Sequence, residues 1–162
     1  VAISLLSAFW IGVGIPVLLF AADATGFALL FTGSALTLVF SSIAFLASVL
    51  ARDKARGIGF VLLLWFYFAL IYDGLVLLVL FSFSDYPLEK LTLVFSALNP
   101  IDLGRIFIML QMDVSALMGY TGALYKDFFG NSTGILFTST IMLIWILIPL
   151  WLALRVFKRK DL

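Results

Sequence analysis

Long apolar runs alternate with short polar breaks along this chain, and the pattern predicts four membrane-spanning helices. A bilayer-spanning helix needs about 20 mostly apolar residues. Four segments meet that requirement, at residues 1–22, 27–51, 58–83 and 135–157. The break after the first contains Asp23 with the turn signal Thr25-Gly26, and the break after the second is a basic cluster. We therefore expect an all-α, polytopic membrane protein in which residues 1–162 form one transmembrane domain.

The connection between the third and fourth spans, residues 84–134, has a helical pattern of its own. Its first half carries apolar residues at helical spacing, namely Leu88, Leu91, Val94, Phe95 and Leu98. A second helix is expected to begin at Asn99 and to run to about Gln111. Both are too short to cross a bilayer, so we expect short interfacial helices that lie at the membrane surface or re-enter it slightly. Residues farther along indicate turns at the membrane edge: Tyr120, Gly122, Tyr125, Asn131 and Gly134.

The positions of the charges predict the orientation. Seven of the ten basic residues form two clusters that directly adjoin apolar runs: Arg52, Lys54, Arg56, Arg155, Lys158, Arg159 and Lys160. Basic residues next to spans are typically cytoplasmic. The 84–134 connection, with five acidic and three basic residues, then lies outside the cytoplasm. We expect a multi-pass protein of the inner (cytoplasmic) membrane with both ends of the chain in the cytoplasm.

Composition excludes several classes of function. Of the 162 residues, 64% are hydrophobic and 12% are charged, against about 45–50% and about 25% in soluble domains. The absence of His and Cys removes the Ser-His and Cys-His nucleophile pairs and the usual zinc, haem and iron–sulfur ligand sets. The phosphate-binding pattern G-x-x-x-x-G-K-[ST] is also absent. We expect no catalytic site, cofactor or metal in this chain, and no nucleic-acid partner.

The most distinctive string runs from Leu98 to Arg105. Asn99 can cap a helix whose first position is Pro100, and Asp102 can bond back to the Asn99 N–H as in a capping box. Arg105, three residues later, can pair with Asp102 on the same face. A structural cap accounts for all four residues. The alternative is a contact with a partner subunit or with cargo, and the sequence does not decide between the two interpretations.

Asp73 is the other candidate, because it interrupts the third apolar run. An intramembrane carboxylate costs roughly 2.5–3.5 kcal/mol and is a functional candidate by default. It either has a structural partner or a hydrated position, or it lies on a transport path or at a partner contact.

Other features have ordinary structural explanations beside functional ones. Small residues in the second span form a stripe that favours a contact between helices, with a pore-lining or dimer face as the alternative: Ser34, Thr37, Ser41, Ala44, Ser48 and Ala51. Pro16 and Pro149 are expected to bend their helices. Thioethers suit Cu(I), but Met109, Met112 and Met118 are more readily explained as apolar packing.

Several strings together resemble the ABC-2-type permease of the nitrous-oxide-reductase maturation system. They are residues 98–105 with the Met-rich stretch that follows, Met118-Gly119-Tyr120-Thr121-Gly122-Ala123, Trp65-Phe66 with Tyr72-Asp73, and Arg155-x-Phe157-Lys158-Arg159. The resemblance covers essentially the whole chain and implies the last four of six spans. Val1 lies inside an apolar run without a signal-peptide pattern, so we expect the chain to be the later part of such a permease.

The resemblance also implies a function and a set of partners. The permease would couple ATP hydrolysis by a separate ABC ATPase subunit, which binds ATP and Mg²⁺, to export of a cargo for copper-centre assembly. A second copy of the permease, an extracytoplasmic accessory protein and the lipid bilayer would be its other partners. Two alternatives from other classes are a non-transporting membrane scaffold and an ion-coupled secondary transporter.

Overall fold

The computed structural model describes residues 1–51, 53–83, 89–112 and 119–160, without the side chains of residues 54, 89–90, 112, 119–131 and 160. Every regular element in these ranges is helical. Helix α1 comprises Ala2–Phe9, the π-helical turn Trp10–Gly14 and Ile15–Phe20, and α2 is Ala24–Leu50. Helix α3 comprises Lys54–Phe66, the π-helical turn Tyr67–Ile71 and Tyr72–Ser82. They are followed by α4 (Glu89–Ala97), α5 (Pro100–Met112) and α6 (Gly119–Lys160).

The predicted number of spans is confirmed. Four helical stretches are long and apolar enough to cross a membrane: Ala2–Phe20, Ala24–Leu50, Ala55–Ser82 and Ser132–Arg159. Ala35 of α2 and Met142 of α6 share one apolar cluster, and α2 residues 41–48 face Ile146 and Leu150 across a recess. The two helices therefore run in the same direction. Both basic clusters consequently lie at the same end of the spans, called the basic end below, while the other is called the opposite end.

The start of α2 differs from its predicted boundary for a local reason. Asp23 is the N-cap, and its Oδ1 accepts a hydrogen bond of 2.7 Å from the Gly26 N–H. Thr25 and Gly26 therefore belong to the first turn of α2 instead of a loop before it. A Cβ at position 26 would lie 1.8 Å from the carbonyl oxygen of Ala21, so only glycine allows the preceding chain to come so close.

The two π-helical turns have different surroundings. Pro16 follows the turn in α1 and cannot donate a backbone hydrogen bond to the preceding turn. A widened π-turn accommodates this missing donor. The turn in α3 contains no proline, and it lies where α3 meets the α4–α5 connection.

Helices α4 and α5 form a re-entrant pair. Their axes bend by 109° at the residues between them, and both pack against α6. Helix α5 also packs along α2, and it buries Leu103, Ile106, Phe107 and Leu110. The two helices expected from the sequence are therefore present, and of the two expected positions the re-entrant one is found, because the helices pack between the spans and not at the membrane surface. An interfacial helix would leave one face exposed, whereas α5 buries residues around much of its circumference.

Helix α6 starts earlier in the chain than the sequence predicted. It is one helix of 42 residues, or about 63 Å at 1.5 Å per residue. The positions expected to form turns, from Tyr120 to Gly134, lie within it, as does Pro149. The apolar run of α6 begins at Ile135, and the whole helix is about twice as long as a bilayer core is thick, so residues 119–134 extend the helix beyond this run at the opposite end.

The small-residue stripe of α2 has two environments. Toward the opposite end, the Ser34 hydroxyl accepts a hydrogen bond of 3.2 Å from the indole N–H of Trp10 in α1. Toward the basic end, Ser41, Ala44 and Ser48 line a recess of about 760 Å³ between α1, α2 and α6. Ser34 therefore takes part in a contact between helices, as expected for the stripe, whereas Ser41, Ala44 and Ser48 border the recess.

Candidate functional site

The connection between α4 and α5, residues 97–100, is the centre of the candidate site and is called the corner below. The Asn99 side chain bonds to Phe68, and the Ala97 carbonyl bonds to Trp145. Phe68 and Trp145 each lie at the midpoint of a 28-residue span. The corner therefore lies at the level of the middle of the spans. Helix α4, with nine residues, is about 13 Å long, which is close to half the thickness of a bilayer core.

Asn99 is fully buried, and both ends of its amide are used. Its Oδ1 accepts a hydrogen bond of 3.0 Å from the Ile101 N–H, as an N-cap should. Its Nδ2 donates a 3.0 Å hydrogen bond to the carbonyl oxygen of Phe68, within the π-turn of α3. The predicted cap is confirmed. The capping box is wrong, because the Asn99 N–H donates instead to the carbonyl of Ser96 at 3.2 Å.

Two aromatic side chains satisfy carbonyl groups at the end of α4. The last four carbonyls of a helix lack their α-helical partners, and hydrocarbon offers none; of these carbonyls, that of Phe95 already accepts a hydrogen bond of 3.0 Å from the Leu98 N–H. The Tyr72 hydroxyl donates to the Phe95 carbonyl at 2.6 Å, and the Trp145 indole N–H donates to the Ala97 carbonyl at 3.1 Å. Phe68 packs edge-on against Trp145 with ring centroids 5.5 Å apart. The corner is thus bonded to the middle of both α3 and α6.

Close packing holds α5 against α2 and α6. A Cβ on Gly104 would lie 2.8 Å from the Thr32 methyl group, so this glycine permits the close approach of α5 to α2. Leu103 lies in one cluster with Ala35 and Met142. A second cluster joins α4 to α5 through Leu93, Ile106 and Leu110, and Met109 packs against it. Met109 therefore has the packing role that its chemistry favours, while the Met112 and Met118 side chains lie outside the described residues.

Asp73, Asp102 and Arg105 form a charged group where α3 meets α5. The guanidinium of Arg105 forms an ion pair and a hydrogen bond with the Asp73 carboxylate. The distance from Arg105 to Asp102 is 3.9 Å, too long for a hydrogen bond. The predicted neighbours on α5 are therefore close, but the stronger partner of Arg105 lies on α3. Asp73 thus has a structural partner, which is one of the alternatives that the sequence left open.

The charged group lies at membrane depth and opens on the surface of the chain. Asp73 is five residues from Phe68, so it lies about 8 Å from the midpoint of its span, toward the opposite end. The side chains of Arg105, Asp73 and Asp102 are 45%, 34% and 21% exposed. Hydrocarbon solvates such charges poorly. This surface therefore requires water or another protein surface beside it.

The structure separates the five predicted site residues into two sets. Asn99 and Pro100 are buried within the chain, so they have no surface to offer a partner, and their structural role accounts for them. Asp73, Asp102 and Arg105 come together on an accessible face, where contact with a partner or cargo stays a prediction. Sequence reasoning missed Trp145 and the bond from Tyr72. Trp145 and Tyr72 each place a hydrogen-bond donor in the middle of an apolar span. Such a donor needs an acceptor there, and this need could have indicated both bonds from the sequence.

Comparison with known proteins decides the family. The chain matches the family described as ABC-2 family transporter protein over residues 1–162. The chain belongs to the ABC-2 family. Comparisons with curated proteins and with solved structures each gave no match. As an ABC-2 family membrane domain, the chain is a transport-related, multi-pass membrane subunit, a kind of subunit that generally lacks a catalytic site and usually pairs with an ABC ATPase.

Proposed function

We propose that this ABC-2 chain is the permease subunit of an ATP-driven exporter. A separate ATPase subunit binds ATP and Mg²⁺, and a second copy of the chain completes the transport path. Family membership supports the permease role. The absence from the sequence of a P-loop pattern supports a separate ATPase.

The observation that carries the proposal is the exposed charged group at membrane depth. Ionisable side chains within spans almost always face a bundle interior or a water-filled cavity. Asp73 and Arg105 lie instead on the outer surface of this chain. A transport path formed between two copies of the chain would place water beside these residues. Without a neighbouring protein surface or water, the same face would meet lipid, which solvates charges poorly.

The bonds at the corner suggest how movement would be transmitted. Three links join α3 to the re-entrant pair: Asn99 to Phe68, Tyr72 to Phe95, and Arg105 to Asp73. Helix α3 begins at the basic end, where we place the ATPase. A shift of α3 caused by ATP binding would therefore displace α4 and α5 relative to α6. This displacement would open or close the path toward the opposite end.

We also propose an orientation and a cargo, which membership of the family does not specify. The common end of the two basic clusters supports a cytoplasmic basic end in the inner membrane, so both ends of the chain would be cytoplasmic. Export would then proceed toward the end that carries residues 119–131 of α6. The strings that resemble the nitrous-oxide-reductase maturation permease support a sulfur-containing or copper-related cargo for copper-centre assembly. An extracytoplasmic accessory protein would bind at this same end.

The test is to co-express the chain with a candidate ABC ATPase partner and to measure two activities for each variant. The first is ATP hydrolysis by the complex in proteoliposomes. The second is assembly of the copper centres of nitrous oxide reductase in cells, followed by their visible absorption. Asp73→Asn leaves Arg105 with only the more distant Asp102, 3.9 Å away, whereas Arg105→Gln leaves both carboxylates without a cation; an unpaired charge costs about 2–3 kcal/mol at membrane depth. We expect each variant to reduce copper-centre assembly strongly, and the exchanged pair D73R/R105D to recover part of it.

The outcomes distinguish the alternatives. Normal copper-centre assembly in both single variants would contradict a role for the charged group in transport. ATP hydrolysis with no movement of a sulfur-containing probe across the membrane would favour a scaffold. Flux of protons or sodium ions without any ATPase would favour an ion-coupled transporter. The pairing of Asp73 with Arg105 argues against that last alternative, because an ion-coupling carboxylate must be free to exchange its ion.

A further inference from the structure

The face of α6 near the basic end combines an apolar groove with basic side chains. The groove is shallow and largely open, has a volume of about 420 Å³, and is lined by residues of α6 alone, namely Leu147, Ile148, Leu150, Trp151 and Leu154. All five side chains are apolar or aromatic, so the groove suits a hydrocarbon occupant. It lies on the exposed side of α6, whereas Pro149 and Ala153 on the other side are buried.

The groove ends at an arginine that is stacked on a tryptophan. The Arg155 guanidinium carbon lies 5.1 Å from the centre of the Trp151 ring, and the two residues are one helical turn apart. In this arrangement the face of the guanidinium meets the indole. Its N–H groups point outward in the guanidinium plane, so they remain available for a bidentate contact with an anion such as a phosphate.

Two further cations lie within one turn of Arg155 and have no acidic neighbour in the described part of the chain. Lys158 and Arg159 are exposed, and the ion pairs found among the described residues involve only Arg105. The apolar run of α6 ends at Phe157 and is followed directly by basic residues, so these charges are expected at the membrane boundary, where phospholipid headgroups are found. The apolar groove continues from them toward the middle of the membrane.

We propose that this face is a binding site for one anionic phospholipid. Arg155, Lys158 and Arg159 hold its phosphate, and one acyl chain lies in the groove beside Trp151. Charge complementarity favours an anionic lipid over a zwitterionic one, because basic residues near a membrane surface attract anionic headgroups. The apolar groove favours a lipid over free phosphate or a soluble protein. The proposal depends only on the chain in a bilayer and not on the transport function proposed above.

The experiment uses the full chain in detergent and native mass spectrometry, with phosphatidylglycerol and phosphatidylcholine as probes. We expect the chain to retain one phosphatidylglycerol in preference to phosphatidylcholine. The variant R155Q/K158Q/R159Q removes three cations, each worth about a fivefold change in binding, so its preference should fall at least tenfold. The matched control R52Q/K54Q/R56Q removes the same charge from the other basic cluster and should keep the preference within about twofold.

A second variant tests the stacking of Arg155 on Trp151 without changing the number of charges. Trp151→Leu keeps an apolar side chain and all the cations, but it removes the surface on which Arg155 is stacked. We expect a loss of preference of about threefold to fivefold, as for one cation–π contact. An equal loss of lipid preference in the two triple variants would overturn the proposal, because it would show that basic residues attract anionic lipid diffusely and not at one site. An unchanged preference in Trp151→Leu would also overturn it, as would binding of free phosphate as tight as that of the lipid.

Discussion

The π-helical turns of α1 and α3 have the same backbone form but different causes. The turn at Trp10–Gly14 precedes Pro16, and α1 has few neighbours: only 6% of the first span is buried, against 33% of the second. The turn at Tyr67–Ile71 has no proline and is bonded to the corner through Phe68. A π-turn caused by a nearby proline should be independent of the rest of the fold. One that is held by a tertiary contact should change when that contact is lost.

The largest expected effect comes from separating the re-entrant pair from α2. Gly104→Leu places a side chain where a Cβ alone would lie 2.8 Å from Thr32. We expect the free energy of unfolding to fall by about 3 kcal/mol, measured by denaturation in mixed micelles. Gly59→Leu is the control, because nothing lies within 4 Å of its Cβ position. The control should be neutral or slightly stabilising, since leucine favours helix more than glycine does. Equal effects at the two positions would contradict the close approach of α5 to α2.

The next effect tests whether the π-turn of α3 depends on the corner while the π-turn of α1 does not. Asn99→Leu removes two hydrogen bonds from a buried site, and we expect a loss of about 2 kcal/mol in the free energy of unfolding. Asn99→Ser retains the cap but not the bond to Phe68, so it should cost about half as much. Amide hydrogen exchange should increase around Tyr67–Ile71 in both variants and stay unchanged around Trp10–Gly14. Equal protection of both turns in Asn99→Leu would show that the α3 turn does not depend on the corner.

Removing a single donor at the end of α4 should have a smaller effect. Trp145→Phe and Tyr72→Phe keep most of the aromatic packing and lose one hydrogen bond each. Within a membrane such bonds contribute about 0.6 kcal/mol on average, so we expect a loss of that size in each variant. Phe66→Leu, on an exposed part of α3, is a suitable control. Losses of several kcal/mol would instead indicate that the two donors hold the whole corner together.

The smallest effect is expected in α1. Pro16→Ala restores a backbone N–H, so the π-turn should relax to an ordinary α-helix. We expect a change in the free energy of unfolding within about 0.5 kcal/mol and no change in hydrogen exchange at the corner. Persistence of the π-turn in this variant, seen in the backbone chemical shifts of residues 10–16, would show that proline is not its cause.

The sequence predicted features that depend on neighbouring residues and missed those that join distant ones. The spans follow from apolar runs, and the helix start at Pro100 follows from the capping chemistry of Asn99. The pairing of Arg105 with Asp73 joins residues 32 positions apart, and nothing in either segment specifies it. The depth of the corner was also missed, because helical spacing of apolar residues does not distinguish a buried helix from an interfacial one. Residues such as Gly122 and Asn131 resembled turns, yet each weakens a helix by only about 1 kcal/mol or less.

The unbroken length of α6 has a mechanical consequence. Helix α6 is a rod about twice as long as a bilayer core is thick; its apolar run is residues 135–157, and most of the remainder projects beyond this run at the opposite end. A small tilt of the embedded part therefore swings the projecting tip through a larger arc. Because Trp145 fixes the corner to the embedded part, any rearrangement at mid-depth that tilts the rod is magnified at its tip. A protein docked on that tip would be displaced even if it never contacted the transport path.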